Sequence, residues 1–583
     1  MRRAAQRLRR YLKLAFLRLT SLSSVAEENY LLLSAIAIGV LAGLGSALFM
    51  YSLAAVNRLF FGFATESLWF LGASAVMFLP AIGGLIAGPL IVRFAPEAGG
   101  HGVPEVMSAI ATRGGRIPGR VAVIKVIASA VTIGSGGSAG QEGPMVQIGA
   151  ATASAAGRRL GIPPHHMRTF VACGAAGGLS AVFNAPIGGA IFALEVLTGE
   201  LTPAFGAVIL SSVSATVVSR SIFGDYPAFI VPRYDLVSNV ELVLYAGLGL
   251  VAGLVAAAFI KTLYSLEGRF DGWRFPAYFK PVVGGLMVGI IGRFTPQVLG
   301  TGVDAIEEAT WGRLAPLLLV VLVPAKILAT SLTFASGGSG GVFGPLMYVG
   351  SMVGGAFGWV ANLLLPTMVA GSGAYALVGI GAVVGGAALA PLSAIILLFE
   401  MTDDYRIILP AMVATVVSIM VVRAMIGESI YTLKLQQQNI KYYAGLELQK
   451  AHALSVRQAM RTDLEPVPAS MNVVAALSRA VRTRARALPV VDDEGNAVGV
   501  VSLEQLASAS AADERPESVA SVMTDVAQAR ALVTDRLDAV LARLGEAEGE
   551  ALVVFRDEKT NVPRGVVSRH DVLRVYERVL RAR

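Results

Sequence analysis

Two stretches of small residues carry the most chemical information in this chain. Residues 125–144 read KVIASAVTIGSGGSAGQEGP and residues 326–345 read KILATSLTFASGGSGGVFGP. They align without a gap at an offset of 201, with ten identities in twenty positions. In each, a glycine- and serine-rich turn runs straight into an apolar stretch of helical length. The first N–H groups of a helix have no intrahelical partner and carry about half a positive charge, and glycine lets a turn present successive amides. Two such turns aimed at one point would hold a dehydrated anion without any full positive charge. A cation would meet the wrong end of both dipoles. The serines repeated at 135, 138, 336 and 339 argue that the glycines do more than let helices pack closely.

Glu142 is the first side chain to single out. Its repeat partner is Phe343, so one half of the duplication carries a carboxylate where the other carries an aromatic ring. A carboxylate tethered beside helix-start amides can occupy the anion's place, then leave when protonated or displaced. Ionisable groups inside a membrane are costly and mark function. Glu195 and Glu400, each nine residues after an Ala-Pro, stand at equivalent places, and that symmetry predicts a structural hydrogen bond at a rim. Lys125 and Lys326 are also paired; they either supply long-range positive potential for anions or snorkel to an interface.

The duplication extends beyond these turns. GGLIAGPLIVRFAPEAGGHG (83–102) matches GGLMVGIIGRFTPQVLGTG (284–302), and NAPIGGAIFALE (184–195) matches LAPLSAIILLFE (389–400). Three blocks in one order define a repeated unit of about 200 residues. Gly- and Pro-interrupted segments in corresponding places of two halves point to a midplane binding site. The pattern leaves parallel and inverted repeats both open; inversion would bring corresponding helix ends together.

Composition sets the environment. Of 583 residues, 55% are hydrophobic and 15% charged, with mean hydropathy +0.65, whereas soluble domains carry about a quarter charged residues. Apolar runs near 30–61, 68–92, 205–222, 241–263, 278–294, 315–333, 345–365, 374–399 and 408–425 approach or exceed the ~20 residues that cross a bilayer. The net charge of +8 concentrates at the ends, which speaks against a nucleic-acid face. Residues 1–25, with Arg2, Arg3, Arg7, Arg9, Arg10, Lys13 and Arg18, read as a basic amphipathic helix on an anionic leaflet; the apolar run that follows is too long for a signal-peptide core. The single cysteine, Cys173, excludes a disulfide framework and a cysteine metal cluster.

After Gly427 the chain turns polar. SVRQAM (455–460) and SVASVM (518–523) open two similar units, which continue through ALPVVDDEGNAVGVVSLEQL (487–506) and ALVVFRDEKTNVPRGVVSRHDV (551–572). Each reads helix, strand, turn, strand, helix: a soluble α/β pair confined to one side of the membrane.

These motifs resemble the CLC family of chloride channels and chloride/proton exchangers. GQEGP (140–144) resembles the signature whose glutamate gates, which places that role on Glu142. GVFGP (341–345) resembles the signature whose amides, here Val342 and Phe343, contact the anion, with Gly143 on the opposite turn. GHGVPEV (100–106) resembles the first signature, with His101 where a serine usually coordinates the anion and Gly102 beside it. Tyr431, in SIYTLKL, matches the tyrosine whose hydroxyl faces the anion. The tail resembles a pair of CBS modules, and Ser568 and Asp571 match an adenine-nucleotide ribose contact that Ser502 and Gln505 complete less well.

The resemblance implies a mainly α polytopic membrane protein of two inverted repeats (about 30–225 and 235–430, within a domain 26–433). A cytoplasmic CBS pair follows over 434–583, with modules about 451–512 and 515–583. It implies a homodimer in the cell membrane, with the N-terminus cytoplasmic, chloride or a similar small anion as ligand, no required cofactor, and an adenine nucleotide as a ligand of the tail. Val196 stands where exchangers carry a second, internal glutamate, so the expectation leans to channel-like conduction, with proton-coupled exchange the alternative. His101 predicts a pH-dependent anion affinity.

Two rivals fit less well. An intramembrane enzyme needs a nucleophile–base pair or metal ligands, and His101, His165, His166, His452 and His570 form no such set. A divalent-cation transporter with CBS modules needs several pathway carboxylates, and the body offers mainly Glu142.

Overall fold

Proline and glycine decide where the apolar runs break into separate helices. The computed structural model describes residues 23–581 except 68–73, 161, 164–165, 200–204, 226, 233, 235, 239–240, 441–453, 513–515, 547–550 and 559. Most of the basic N-terminal segment (1–22) lies outside the described residues. The chain forms two compact units that divide between Tyr442 and Tyr443.

In the first unit the helices of the first half are α1 (Ser23–Ser67), α2 (Leu79–Phe94), α3 (Val103–Arg113), α4 (Gly119–Gly134), α5 (Glu142–Leu160), α6 (Met167–Phe183), α7 (Pro186–Phe192, continued by a wide turn Ala193–Thr198) and α8 (Phe205–Phe223). Those of the second are α9 (Glu241–Gly272), α10 (Lys280–Phe294), α11 (Val303–Thr310), α12 (Pro316–Ala335), α13 (Phe343–Leu364), α14 (Ser372–Ala388), α15 (Pro391–Thr402) and α16 (Ile408–Met425), with a short α17 (Thr432–Gln437) after them. Among the described residues, seven helices are long and apolar enough to cross a membrane. Proline sits in the first turn of α2, α3, α7, α10, α12 and α15, where its missing N–H costs nothing.

The duplication is visible residue by residue. The apolar run 374–399, expected as one stretch, is two helices, α14 and α15. It breaks at Leu389, whose φ of +53° matches that of Asn184 at the α6–α7 break. The following alanines repeat as well, Ala185 at φ −125°, ψ 79° and Ala390 at φ −125°, ψ 82°. A left-handed residue ends each helix, and the next proline starts another. Periodicity missed the second break because leucine, unlike glycine or asparagine, gives no left-handed signal.

Contacts between the halves are reciprocal, as a two-fold relation requires. The Glu195 carboxylate accepts from the Leu392 and Ser393 amides and the Ser393 hydroxyl at the start of α15. The Glu400 carboxylate accepts from the Ile187 and Gly188 amides at the start of α7. Each glutamate caps the opposite half's helix and satisfies donors that the helix leaves free, the structural role expected from their symmetry.

The second unit holds a four-stranded sheet, in order β1 (Val467–Pro468), β2 (Ala487–Val491), β3 (Ala497–Ser502), β4 (Thr524–Asp525), and a three-stranded sheet, β5 (Arg530–Leu532), β6 (Ala551–Phe555), β7 (Gly565–Ser568). In both, a parallel pair precedes an antiparallel one. The central strands β2 and β6 are almost wholly buried, so they read as continuous apolar runs. The two modules exchange their leading segments. β4 joins the first sheet by pairing Gly499 with Asp525 and Val500 with Thr524, and the stretch 456–461 bonds to Asp535, Val533 and Val566 of the second. Strand pairing thus crosses between the two modules expected over 451–512 and 515–583. An exposed strand edge needs a partner, and the neighbouring module supplies it.

Candidate anion site

The two glycine-rich turns meet. The Gly140 amide donates to the Gly341 carbonyl at 2.7 Å and the Gly341 amide to the Gly140 carbonyl at 2.8 Å, an antiparallel bridge between the halves. Each of these two amides is thus satisfied by a carbonyl of the opposite half, and the amides without an acceptor lie further along the turns. Beyond the bridge, α5 starts at Glu142 and α13 at Phe343. Among the described residues the amides of Gly143, Val342 and Phe343 have no acceptor.

Close approach requires glycine here. A Cβ on Gly143 would overlap the His101 carbonyl and lie 2.7 Å from Gly341 Cα. A Cβ on Gly140 would occupy the place of the Glu142 carboxylate. Real Cβ atoms do not come so close, so both turns depend on the missing side chains.

The four serines play a part other than the one expected. Ser135 and Ser336 bond back to the carbonyls of Thr132 and Thr333, each at 3.1 Å. Ser138 pairs with Thr330 at 3.0 Å, and Ser339 with Ser129 at 2.8 Å. They stitch α4, α12 and the turns together across the two-fold. Packing of small polar residues explains their repetition, and an anion contact does not.

Lys125 and Lys326 do not snorkel. Both are fully buried. Lys125 Nζ donates to the carbonyls of Ala98 and Gly100 at 3.1 and 3.0 Å, and Lys326 Nζ to those of Val298 and Gly300 at 2.9 and 3.1 Å. Each ties down the loop before α3 or α11, which has its own positive-φ glycine, Gly102 (+84°) or Gly302 (+76°).

Glu142 is 3% exposed. Its Oε1 accepts the Gly344 amide of α13 in the other half. On one side it borders a narrow cavity lined also by Val103, Gly143, Val146, Leu179, Phe192, Val342, Phe343 and Tyr431. The walls approach until no water fits between them. On the other side Glu142 borders a vestibule of about 240 Å³ whose wall includes Gly140, Gly344, Thr301 and Asn184. The carboxylate stands between the two spaces.

Five residues singled out in the sequence, Glu142, Gly143, Val342, Phe343 and Tyr431, therefore share one cavity. His101 and Gly102 are not among its walls. The His101 ring is buried and stands edge-on to Phe334 and Tyr264, with centroids 4.8 and 6.1 Å away. Phe192 was missed. It sits edge-on to both Phe343 and Tyr431, at 6.1 and 6.3 Å, and joins the two rings; the signal was an aromatic in the repeated PIGGAIFALE block where the second half has leucine. Val196 is buried beside Glu195 in the wide turn after α7. Ser568 and Asp571 bond to each other at the start of the helix Arg569–Arg581, and Ser502 and Gln505 form the same capping box.

A family model described as voltage gated chloride channel matches residues 83–423, and one described as CBS domain matches residues 456–512. The chain belongs to the voltage-gated chloride channel (CLC) family. It is 31% identical over 439 residues to the H(+)/Cl(-) exchange transporter ClcA of Vibrio campbellii, covering 71% of this chain and 91% of that one. Among solved structures it is similar to a slow cyanobacterial Cl-/H+ antiporter, with TM-score 0.65 and 27% identity over 70% of this chain and 97% of that one. A eukaryotic CLC transporter gives TM-score 0.63 at 20% identity over 94% of this chain and 99% of the other, a likeness of fold that reaches into the C-terminal unit. Family and apolar helices together make this CLC chain an integral membrane protein of inverted repeats with a C-terminal α/β unit.

Proposed function

We propose that this CLC chain moves chloride or a similar small anion across a bilayer through the cavity walled by Gly143, Val342, Phe343 and Tyr431, with Glu142 as its gate. One observation carries the reading: the Glu142 carboxylate accepts an amide of the opposite half at the boundary between a narrow cavity and a wider vestibule. A negative oxygen held by a helix-start amide occupies the kind of place a free anion would take. Protonating or displacing Glu142 frees that place.

Conduction without proton coupling is supported by Val196, an apolar side chain where an internal acid would be needed, and by Glu195 being committed to the start of α15. Proton-coupled exchange is the second reading, favoured by the exchangers among the similar proteins. Reversal potentials of reconstituted protein, measured under a pH gradient at symmetric chloride, decide between them: a shift with pH means coupling, and none means passive flow.

Exposed apolar residues on α8 and α16, among them Val217, Leu409, Val416 and Met420, suit a homodimer in the cell membrane. The basic N-terminus and the C-terminal unit belong on the cytoplasmic side by the positive-inside rule. An adenine nucleotide at Ser568 and Asp571 would have to replace their mutual hydrogen bond. Calorimetric titration with ATP tests this; absence of heat assigns the pair to helix capping alone.

A further inference from the structure

Away from the anion site, a groove of about 570 Å³ runs between α9, α12 and α13. Its walls include Val251 of α9, Leu317, Val320 and Val323 of α12, and Phe357 and Trp359 of α13. None of its described lining side chains is charged. Leu317 is 76% exposed, Val320 57% and Trp359 45%, so the groove faces outward. All three helices are long and apolar enough to cross a membrane.

Local sequence explains why a groove forms here. Pro324 lies inside α12, where it cannot donate to the carbonyl of Val320 four residues back, and a proline in that place kinks a helix. Val320 is one of the walls. In the first half the places of Trp359 and Val360 are held by Arg158 and Arg159, so the duplication alone does not require an apolar surface. From Leu317 to Val323 the groove runs roughly 9 Å, at 1.5 Å per residue.

In a bilayer, hydrocarbon surrounds such a groove. Lipid tails are as apolar as leucine, so entering it brings a chain no hydrophobic gain; it brings the dispersion contacts that a gap forfeits. Selectivity comes from the end of the groove. The link between α11 and α12 carries Trp311 and Arg313, the latter three residues before Pro316, another wall residue. The Arg313 guanidinium lies over the Trp311 ring, 4.7 Å from its centroid, and Trp311 Nε1 donates to the Ile230 carbonyl at 2.8 Å. Arg313 is exposed. Among the described residues it has no ion-pair partner, the α11 acids Asp304, Glu307 and Glu308 included. Tryptophan marks the membrane–water boundary, and a guanidinium without a carboxylate suits a phosphate, which it can hold through two N–H groups.

We propose that the groove holds one acyl chain of an anionic bilayer phospholipid whose phosphate rests on the Arg313 guanidinium. The helices it braces lead to the anion site: α12 ends at Ala335, before the second glycine-rich turn, and α13 begins at Phe343, after it. Bilayer composition is thereby linked to that turn by a lipid that stays outside the anion path.

The test is native mass spectrometry of the full chain, purified in detergent and titrated with phosphatidylglycerol or with phosphatidylcholine of the same acyl chains. The wild type is expected to hold one phosphatidylglycerol per chain that a tenfold excess of phosphatidylcholine does not displace. Arg313→Gln removes the phosphate's partner and Val320→Trp fills the groove, and each is expected to hold one phosphatidylglycerol fewer. Arg313→Lys, which keeps the charge, should retain it. The basic N-terminus is the same in all four proteins and cancels in the comparison. Phosphatidylglycerol should raise the thermal midpoint of the wild type but not of Arg313→Gln, whose lipid-free midpoint stays at the wild-type value because the side chain is exposed. Equal lipid counts in the wild type and Arg313→Gln would overturn the proposal, as would an unchanged count in Val320→Trp. A dimer that falls to monomer in Val320→Trp would overturn it too, by giving the groove to a second copy of the chain.

Discussion

The backbone amide of Gly344 donates its hydrogen to the carboxylate of Glu142, 202 positions earlier in the chain. The bond crosses the two-fold between the repeats, so an acid from one half rests on a helix start of the other. On the proposed reading, occupancy of the anion site is thereby tied to the charge of one side chain.

Protonation should therefore open the path. An ionised Glu142 competes with the anion, and a protonated one does not, so anion flux is expected to rise as pH falls. Glu142→Gln should hold the acid-like rate at all pH values. Hydrogen bonds to charged groups contribute about 1.5–3 kcal/mol, which predicts a roughly 10- to 100-fold loss of pH sensitivity. Chloride efflux from liposomes across a pH series measures it.

Gly143 should tolerate no side chain. A methyl group there would overlap the His101 carbonyl and press on Gly341, forcing the two turns apart. Gly143→Ala is expected to abolish flux and lower the thermal midpoint in detergent. Gly268→Ala, on α9 with open space around it, should be neutral or stabilising by up to ~1 kcal/mol, the helix-propensity difference.

The crossed caps should be equivalent in stability. Glu195→Ala would strand the Leu392 and Ser393 amides, and Glu400→Ala those of Ile187 and Gly188. Loss of a cap costs about 0.5–2 kcal/mol, so each variant should melt lower by a similar amount, as thermal denaturation would show. A much larger effect at Glu195 than at Glu400 would give Glu195 a role beyond capping.

The C-terminal unit contains an acid-sensitive pair. The Arg461 guanidinium bonds Asp463 through two nitrogens, at 3.1 and 2.7 Å, and holds its carboxyl below the usual range. A depressed carboxylate contributes stability above its unfolded pKa, near 3.9, and that contribution fades as pH falls through the lower folded value. The carboxylate is largely exposed, so the effect is small. Asp463→Asn should flatten the acid limb of the stability curve of residues 443–583, read by denaturant titration between pH 5 and pH 2.

Much of this was legible in the sequence, for reasons that particular residues make plain. The GSGGSAGQEGP and ASGGSGGVFGP turns announced a duplicated helix start because the backbone there demands glycine, and Glu142 stood out because its counterpart is Phe343. What the sequence hid depends on contacts across the two-fold. Nothing in one repeat says that Gly140 and Gly341 will satisfy each other, that four serines will bond within the interlock, or that His101 will turn to Tyr264 and Phe334 rather than to the cavity. Leu389 conceals a helix break because leucine rarely takes positive φ. The exchanged β4 strand is hidden for the same reason as the serines: its partner lies in the other module.

The central claim is that the Glu142 carboxylate, held by the Gly344 amide, competes with an anion for the helix starts of the two turns. Chloride titration of the purified protein by calorimetry at neutral pH, wild type against Glu142→Gln, tests it most directly. The account predicts tighter binding and a higher stoichiometry in the variant, because the competitor has lost its charge. Superimposable isotherms for the two proteins would contradict it.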